Sequence, residues 1–299
     1  MRHRKYLLLW AGMTALLVQL PCEQAFAAQM RVKKNVVYFR QKQSPSHDTS
    51  LDIYAPNEGD NHPVVIWVHG GAWKYGDKAD VAFIPSAFTS AGYVLVSVNY
   101  RLYPRANFRQ QASDVASAVK WVKKNIEAYA GDKNQVFLMG HSAGAHLSAL
   151  IGTDEQYLKK KQLGFKDLKG IILLDGACYH VADHIRDIPE QLFKDFFIKV
   201  FGTDQKKQKQ ASPVKLVSSR GKMPPFLVIC IANRKDSMHQ SESLTKSIKQ
   251  AGGTADLLAS KSDNHLTLCL TLGMPRRPAT EWGFEFLNEA TKPARIASE

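Results

Sequence analysis

The sequence has 299 residues, of which 44% are hydrophobic and 22% are charged. This balance is ordinary for a globular protein, and it excludes wholesale disorder, a collagen-like repeat and a polytopic membrane protein. The 40 Lys and Arg residues outnumber the 27 Asp and Glu residues, which gives a formal net charge of +13. The lysine runs at 159–161 and 206–207 have no interleaved aromatic residues, so we predict a solvated surface and no nucleic-acid partner.

The N-terminal segment has the layout of a secretory signal peptide. A basic start, MRHRKY, precedes an apolar run over residues 7–20, and Pro21 ends that run. The small residues Ala25 and Ala27 then stand at the −3 and −1 positions of a cleavage site. Because the apolar run is shorter than the ~20 residues that a membrane-spanning helix needs, we predict a signal peptide over residues 1–27. This implies export to the periplasm or the medium, without stable membrane insertion.

Beyond this segment, short apolar runs alternate with helical patterns. The runs that indicate strands buried on both faces of a sheet are 64–68, 94–98, 136–139, 171–174 and 226–231. Between them, residues 112–129 place valines and an isoleucine at helical spacing, with lysines on the opposite side. This alternation predicts an α/β fold in which a mostly parallel, doubly wound sheet has helices on both faces. We expect a single domain over 28–299, with residues 178–222 as a short inserted lid.

The sequence Gly140-His141-Ser142-Ala143-Gly144 matches the G-x-S-x-G pattern of a nucleophilic serine. It lies between the apolar run 136–139 and a helix-forming stretch, which is the strand-turn-helix context that the pattern requires. The turn exposes the Ser142 hydroxyl, and the start of the following helix favours negative charge nearby. We therefore predict that Ser142 is the nucleophile and that the backbone amide of Ala143 helps to bind an oxyanion.

A second motif, His69-Gly70-Gly71-Ala72-Trp73, directly follows the apolar run 64–68. Small residues at this point allow the chain to turn with its amides directed into a site, so the motif is typical of the other half of an oxyanion hole. We expect Trp73, together with the lid, to shape the substrate-binding pocket.

A serine hydroxyl needs a general base that is itself oriented by an acid. In this type of fold the residues follow the order Ser, Asp or Glu, then His. Asp236 lies in the loop after the apolar run 226–231, and His265 lies 29 residues later. We predict Asp236 as the acid and His265 as the base, with Asp263 as the rival acid. His146 lies one helical turn after Ser142, so we expect it to serve in packing.

Three cysteines follow the predicted signal peptide, namely Cys178, Cys230 and Cys269. They allow at most one internal disulfide and leave its pairing open. The sequence has no C-x-x-C motif and no Cys/His cluster at metal-ligand spacing, so we predict no metal site.

Taken together, these motifs resemble the α/β-hydrolase superfamily, and more narrowly its branch of hormone-sensitive-lipase-like carboxylesterases and kynurenine formamidases. The resemblance rests on HGGAW at 69–73, NYRLYP at 99–104, GHSAGAHL at 140–147, Asp236 and His265. It implies that the amides of Gly71 and Ala72 join that of Ala143 in the oxyanion hole, and that no metal or organic cofactor takes part.

The sequence thus predicts an exported serine hydrolase that cleaves a small-molecule carboxylic ester through an acyl-enzyme intermediate. Two alternatives remain open at this point. The same residues would suit an arylformamidase that hydrolyses an amide of the N-formylkynurenine type, and an idle binding module could retain the hydrolase fold. The sequence does not predict the oligomeric state or the acyl and alcohol groups of the ester.

Overall fold

A computed structural model describes residues 30–40, 44–217 and 222–292. Its centre is an eight-stranded sheet with the strand order β1-β2-β4-β3-β5-β6-β7-β8. The strands are β1 (Met30–Val37), β2 (Ser50–Pro56), β3 (His62–Val68), β4 (Val94–Val98), β5 (Gly131–His141), β6 (Gly170–Leu174), β7 (Phe226–Ile231) and β8 (Ala255–Ser260). The predicted signal peptide lies outside the described residues.

The sheet is antiparallel at one edge and parallel elsewhere. Strand β2 pairs antiparallel with both β1 and β4, whereas the remaining neighbours pair parallel. The inner strands β4, β6 and β7 are buried on both faces, which explains why their sequences are continuous apolar runs and do not alternate. Full burial of one Val, Leu or Ile side chain contributes about 1.5–3 kcal/mol, so these strands supply much of the driving force for folding.

Helices cover both faces of the sheet. They are α1 (Ile84–Ser90), α2 (Phe108–Asn125), α3 (Ala143–Thr153), α4 (Gln156–Lys159), α5 (Val181–Asp187), α6 (Gln191–Phe201), α7 (Gln205–Gln210), α8 (Pro213–Leu216), α9 (Lys235–Gln250), α10 (His265–Leu270) and α11 (Pro278–Thr291). Helices α2, α3 and α9 bury apolar side chains in one core, while α1 and α11 contribute to a second core on the opposite face. The structure therefore confirms the predicted α/β-hydrolase fold.

Helix α2 shows how the sequence produces one of these elements. Val115, Val119 and Val122 are fully buried on one side of the helix, as their spacing predicts. Asn107 caps its N-terminus by accepting hydrogen bonds from two backbone amides, and the Gln110 side chain bonds back to the Asn107 amide. This reciprocal capping box satisfies amides that would otherwise have no partner within the helix.

Helices α5 to α8 all lie between β6 and β7, in the segment from which the sequence predicts a lid. The assignment of this segment as a lid, and of 28–299 as one domain, stays a prediction. In the part of the chain that the structure describes, none of the helices is long and apolar enough to cross a membrane.

Candidate active site

Three strands bring a serine, an aspartate and a histidine to the same edge of the sheet. Ser142 directly follows β5, Asp175 directly follows β6, and His265 begins helix α10 a few residues after β8. Because parallel strands present their carboxyl ends at one edge, residues far apart in sequence meet there. The site is therefore a direct consequence of the sheet topology.

Ser142 occupies a sharp turn between β5 and α3. Its backbone has φ 53° and ψ −116°, and its amide donates a hydrogen bond to the carbonyl of Leu174 at 2.9 Å. Such a left-handed conformation is costly for a residue other than glycine, and it lifts the side chain out of the sheet. The turn also requires glycine nearby, since a Cβ on Gly144 would lie 2.1 Å from the Val68 carbonyl oxygen. These observations account for the spacing of the G-x-S-x-G motif.

The side chains form a continuous hydrogen-bonded series. His265 Nε2 lies 3.1 Å from Ser142 Oγ, and His265 Nδ1 lies 2.5 Å from Asp175 Oδ2. With the Nδ1 proton donated to Asp175, Nε2 is free to accept the serine proton. Asp175 is fully buried, whereas the His265 side chain is 42% exposed toward the cavity. The arrangement has the geometry of a serine nucleophile with its base and orienting acid.

Asp175 is held as a carboxylate by its surroundings. Its Oδ1 accepts hydrogen bonds from the Ser237 hydroxyl and, at 3.3 Å, from the Ile231 amide. Burial alone would raise the pKa of Asp175, but the hydrogen bond from His265 and the charge of Arg234 lower this pKa to about 2. The group is therefore ionised at neutral pH and able to stabilise a protonated imidazole.

The prediction of Asp236 as the acid is wrong. Asp236 lies in the first turn of α9, and its carboxylate pairs with Arg234, whose Nη2 lies 2.8 Å from Asp236 Oδ2. Its side chain is 43% exposed, while the buried Asp175 takes the place beside His265. Asp236 follows the buried strand β7 after a short loop, whereas Asp175 follows the preceding strand, β6, without any intervening residue. That direct succession is a sequence signal for Asp175 as a candidate acid, but it does not by itself separate Asp175 from Asp236. The rival acid Asp263 instead pairs with Arg277 and Ser260.

The two predicted halves of the oxyanion hole lie close to the serine. Ala72 and Ala143 line the same cavity as Ser142 and His265. Gly71 begins the turn that contains Ala72, and its carbonyl accepts hydrogen bonds from the amides of Lys74 and Tyr75. Gly71 has φ 112°, and a Cβ there would lie 2.2 Å from the Tyr75 carbonyl oxygen, so the turn requires glycine. The structure therefore brings Ala72 and Ala143 to the serine, with Gly71 shaping the turn.

Trp73 lies in the wall of the cavity but is only 3% exposed. Its indole Nε1 donates to His146 Nδ1 at 3.2 Å, and His146 Nε2 donates to the carbonyl of Ala211 at 2.8 Å. Burial lowers the pKa of His146 to about 4, which keeps the ring neutral as this pattern of one donor and one acceptor requires. His146 therefore connects the segment 69–73 to the segment between α7 and α8, consistent with the predicted packing role.

A second histidine, His141, contacts the backbone of His265. His141 is buried, and its Nε2 donates a hydrogen bond to the backbone carbonyl of His265 at 3.0 Å. Burial and the neighbouring His265 lower the pKa of His141 to about 3, so this ring is neutral. The contact fixes the start of α10 relative to the turn at Ser142.

The cavity above Ser142 has a volume of about 790 Å³. The segment between β6 and β7 lines it with the apolar side chains Ile188, Phe193, Phe196 and Phe197, and also with His184, Asp187 and Glu190. The residues around the start of α9 add further polar side chains, namely Asn233, Arg234, Lys235, Asp236, His239 and Gln240. A cavity of this size and lining suits a small organic molecule with an apolar part and a polar part.

The three cysteines in the described part of the chain are not linked by disulfides. Cys178, Cys230 and Cys269 are all free thiols in the structure. Among residues 30–40, 44–217 and 222–292, no three His, Cys, Asp or Glu side chains are grouped so that they would hold a metal ion.

Comparison with protein-family models gives a match to the family described as BD-FAE, over residues 51–248. An isoprenylcysteine alpha-carbonyl methylesterase of Arabidopsis thaliana is 26% identical over 253 residues, which cover 80% of this chain and 58% of that protein. Esterase LipC of Mycobacterium tuberculosis is 30% identical over 238 residues, which cover 76% of this chain and 54% of that protein. The chain thus spans little more than half the length of the curated relatives it matches.

Solved structures share the fold. A truncated carbohydrate esterase from gut microbiota superposes with a TM-score of 0.73 at 22% identity, covering 88% of this chain and 98% of that chain. Esterase B of Lactobacillus rhamnosis superposes with a TM-score of 0.71 at 21% identity, covering 89% and 90% of the two chains. At these identities the likeness bears on the architecture of the sheet and helices.

Proposed function

The chain belongs to the BD-FAE family, and we propose that it is a serine hydrolase that cleaves a small-molecule carboxylic ester through an acyl-enzyme intermediate. The observation that carries this proposal is the hydrogen-bonded series from Ser142 through His265 to the buried Asp175. The names of relatives, an esterase and a methylesterase, agree with it.

In the proposed reaction Ser142 Oγ attacks the ester carbonyl, and His265 Nε2 takes the hydroxyl proton. Asp175 keeps the imidazole in the required tautomer and stabilises the cation that forms. The amides of Ala72 and Ala143, with Gly71 as the third candidate donor, bind the developing oxyanion; one such donor contributes about 3–4 kcal/mol in comparable sites.

Collapse of the tetrahedral intermediate breaks the bond to the alcohol, which leaves with the proton that His265 donates. Water then attacks the acyl-enzyme, again with His265 as the general base. The second step returns the serine and releases the carboxylic acid. Each proton transfer uses the same Nε2 atom, which explains why one histidine suffices.

The experiment is a comparison of Ser142→Ala with Ser148→Ala in the hydrolysis of p-nitrophenyl acetate. Ser148 is a matched control because it lies on the same helix, α3, is fully buried, and makes no hydrogen bond through its hydroxyl within the described part of the chain. We expect background rates from the first variant and wild-type rates from the second. Wild-type hydrolysis by Ser142→Ala would refute the proposal.

A fluorophosphonate probe separates this function from an idle binding module. We expect wild-type protein to become labelled, with peptide mass spectrometry placing the adduct on Ser142. A folded wild-type protein that resists labelling would support the binding module. N-formylkynurenine, assayed beside the ester, tests the formamidase alternative, which the same residues would serve.

We further propose that the protein is exported, on the basis of its N-terminal sequence. The basic start, the apolar run over 7–20 and the small residues before position 28 support cleavage after Ala27. Expression of the full chain in a bacterium, followed by mass spectrometry of the extracytoplasmic product, should show an N-terminus at Ala28. A product that begins at Met1 in the cytoplasm would contradict export.

A further inference from the structure

Arg234 places its guanidinium between two carboxylates at the edge of the proposed active site. Its Nη1 lies 2.5 Å from Asp175 Oδ2. On its other side, Nη2 lies 2.8 Å from Asp236 Oδ2 and Nε lies 3.3 Å from Asp236 Oδ1. Arg234 thus connects the buried carboxylate beside His265 to an exposed carboxylate on α9. The reaction derived above uses neither Arg234 nor Asp236.

The contact with Asp175 is made at the same oxygen that His265 uses. Both His265 Nδ1 and Arg234 Nη1 lie 2.5 Å from Asp175 Oδ2, and these two nitrogens are 2.7 Å apart. Since Nδ1 and Nη1 both donate, they share Oδ2 as their acceptor and do not bond to each other. The second oxygen, Oδ1, is already occupied by Ser237 and Ile231. Each oxygen of Asp175 therefore has two donors, which prevents the carboxylate from rotating.

The formal charges of this cluster explain the presence of Asp236. A guanidinium next to the imidazole would, on its own, repel the imidazolium cation that forms during the reaction. Asp236 supplies a compensating negative charge through its two contacts with the guanidinium. Its hydrogen bond with Arg234 also counters the burial that would otherwise lower the pKa of the guanidinium, so that this pKa is raised. The cluster of Asp175, Arg234 and Asp236 therefore carries one net negative charge, which the imidazolium cation neutralises during the reaction.

We propose that Arg234 is a positioning residue that locks Asp175 Oδ2 in line with His265 Nδ1, and that Asp236 acts on the site only by holding and neutralising Arg234. This inference rests on the proposed hydrolase function. In this role the Arg234–Asp236 pair at the start of α9 differs from an ordinary surface ion pair, because a surface pair would contribute little to either stability or turnover.

The test is a double-variant cycle of Arg234→Gln and Asp236→Asn, with kcat and KM measured for p-nitrophenyl acetate. Arg234→Gln should lower kcat by about 10- to 100-fold with little change in KM. The reason is that the variant loses the alignment of Asp175 with His265 in the transition state and keeps the contacts that bind the substrate. Asp236→Asn should lower kcat less than about tenfold. Because Asp236 acts through Arg234, the double variant should lie within about twofold of Arg234→Gln alone.

Arg234→Lys separates geometry from charge. A lysine ammonium retains the positive charge but does not present the planar fork that spans two carboxylates. We therefore expect Arg234→Lys to remain well below wild-type kcat, and full recovery of kcat by lysine would overturn the proposal. Multiplicative losses in the double variant would also overturn it, because they would mean that Asp236 acts independently.

Thermal unfolding and fluorophosphonate labelling complete the design. Should Arg234→Gln fail to fold, the Asp236→Asn variant still tests the proposal because Asp236 is exposed. The proposal requires this variant to lower kcat while its melting temperature stays near that of the wild type. Wild-type labelling rates in a folded Arg234→Gln variant would refute the positioning role alone. Absence of labelling in the wild type would refute the hydrolase function and this inference with it.

Discussion

Replacement of Asp175 by Asn is the sharpest test of how the site is assembled. The side chain keeps its size, and its carbonyl oxygen can still accept hydrogen bonds from His265 and Arg234 at the position of Oδ2. Its amide group then faces the Ser237 hydroxyl, which accepts a hydrogen bond, and the Ile231 amide, which does not. Asp175→Asn therefore removes a negative charge from beside the imidazole and also leaves the Ile231 amide without its acceptor.

The size of this loss follows from the geometry. Two unit charges at the 2.5 Å that separates His265 Nδ1 from Asp175 Oδ2 interact by about 6–7 kcal/mol at an effective dielectric constant of about 20. The exposure of His265 to the cavity reduces that figure. In a Ser-His-Asp site of another fold, the same change from Asp to Asn lowers kcat by about 10⁴-fold, or about 5 kcal/mol. We expect a loss of kcat on the order of 10³–10⁴ for Asp175→Asn.

The assay is steady-state hydrolysis of p-nitrophenyl acetate at pH near neutrality, with Asp236→Asn measured beside Asp175→Asn. The second variant should lose less than about tenfold, because Asp236 contacts Arg234 and not the imidazole. Circular dichroism of both variants checks that the fold is retained. A larger loss in Asp236→Asn than in Asp175→Asn would show that Asp236 is the working acid, and the reasoning from the observed hydrogen bonds would then fail.

Three further predictions concern the pH dependence of stability, the packing of two glycines and the lining of the cavity. His146 has a folded-state pKa of about 4 against an unfolded value of about 6.5, so its contribution to stability is complete above pH 6.5 and is lost as the pH falls toward 4. Between these two pH values the free energy of unfolding in urea should fall by about 3 kcal/mol more for the wild type than for His146→Gln. An equal fall in the two proteins would contradict a buried, neutral His146 ring. A Cβ at Gly144 would meet the Val68 carbonyl oxygen at 2.1 Å, whereas one at Gly283 in helix α11 would meet nothing within 4 Å. We expect Gly144→Ala to abolish soluble folded protein or activity and Gly283→Ala to raise stability by about 0.5–1 kcal/mol, and a tolerated Gly144→Ala in thermal unfolding would refute the close approach. Phe197→Ala should widen the apolar lining of the cavity and shift the optimum of a p-nitrophenyl ester series toward longer acyl chains, while an unchanged chain-length profile would exclude contact between the acyl group and this lining.

Local patterns in the sequence were sufficient for the fold and for part of the site. Continuous apolar runs identify the parallel strands because a strand buried on both faces has no polar face to alternate with. The G-x-S-x-G motif identifies the nucleophile turn because Gly144 has to admit the Val68 carbonyl at a distance that no other residue permits. Both signals are local in the sequence, since one is a continuous apolar run and the other a five-residue motif, even though the carbonyl that Gly144 admits lies on the separate strand β3.

The acid was decided only by the tertiary structure. Asp175 and Asp236 each follow a parallel strand, so the sequence places both at the same edge of the sheet and does not choose between them. The choice depends on which side chain lies within hydrogen-bonding distance of His265, an atom-to-atom relation across 90 residues of chain. Arg234 adds to this difference between the two carboxylates. It pairs with Asp236, and it donates to the same Asp175 oxygen as His265. A hydrogen bond requires two atoms to lie within about 3 Å of each other. The position of a residue in the sequence locates it only to the loop at the end of a strand, which is too coarse to show which carboxylate meets that requirement.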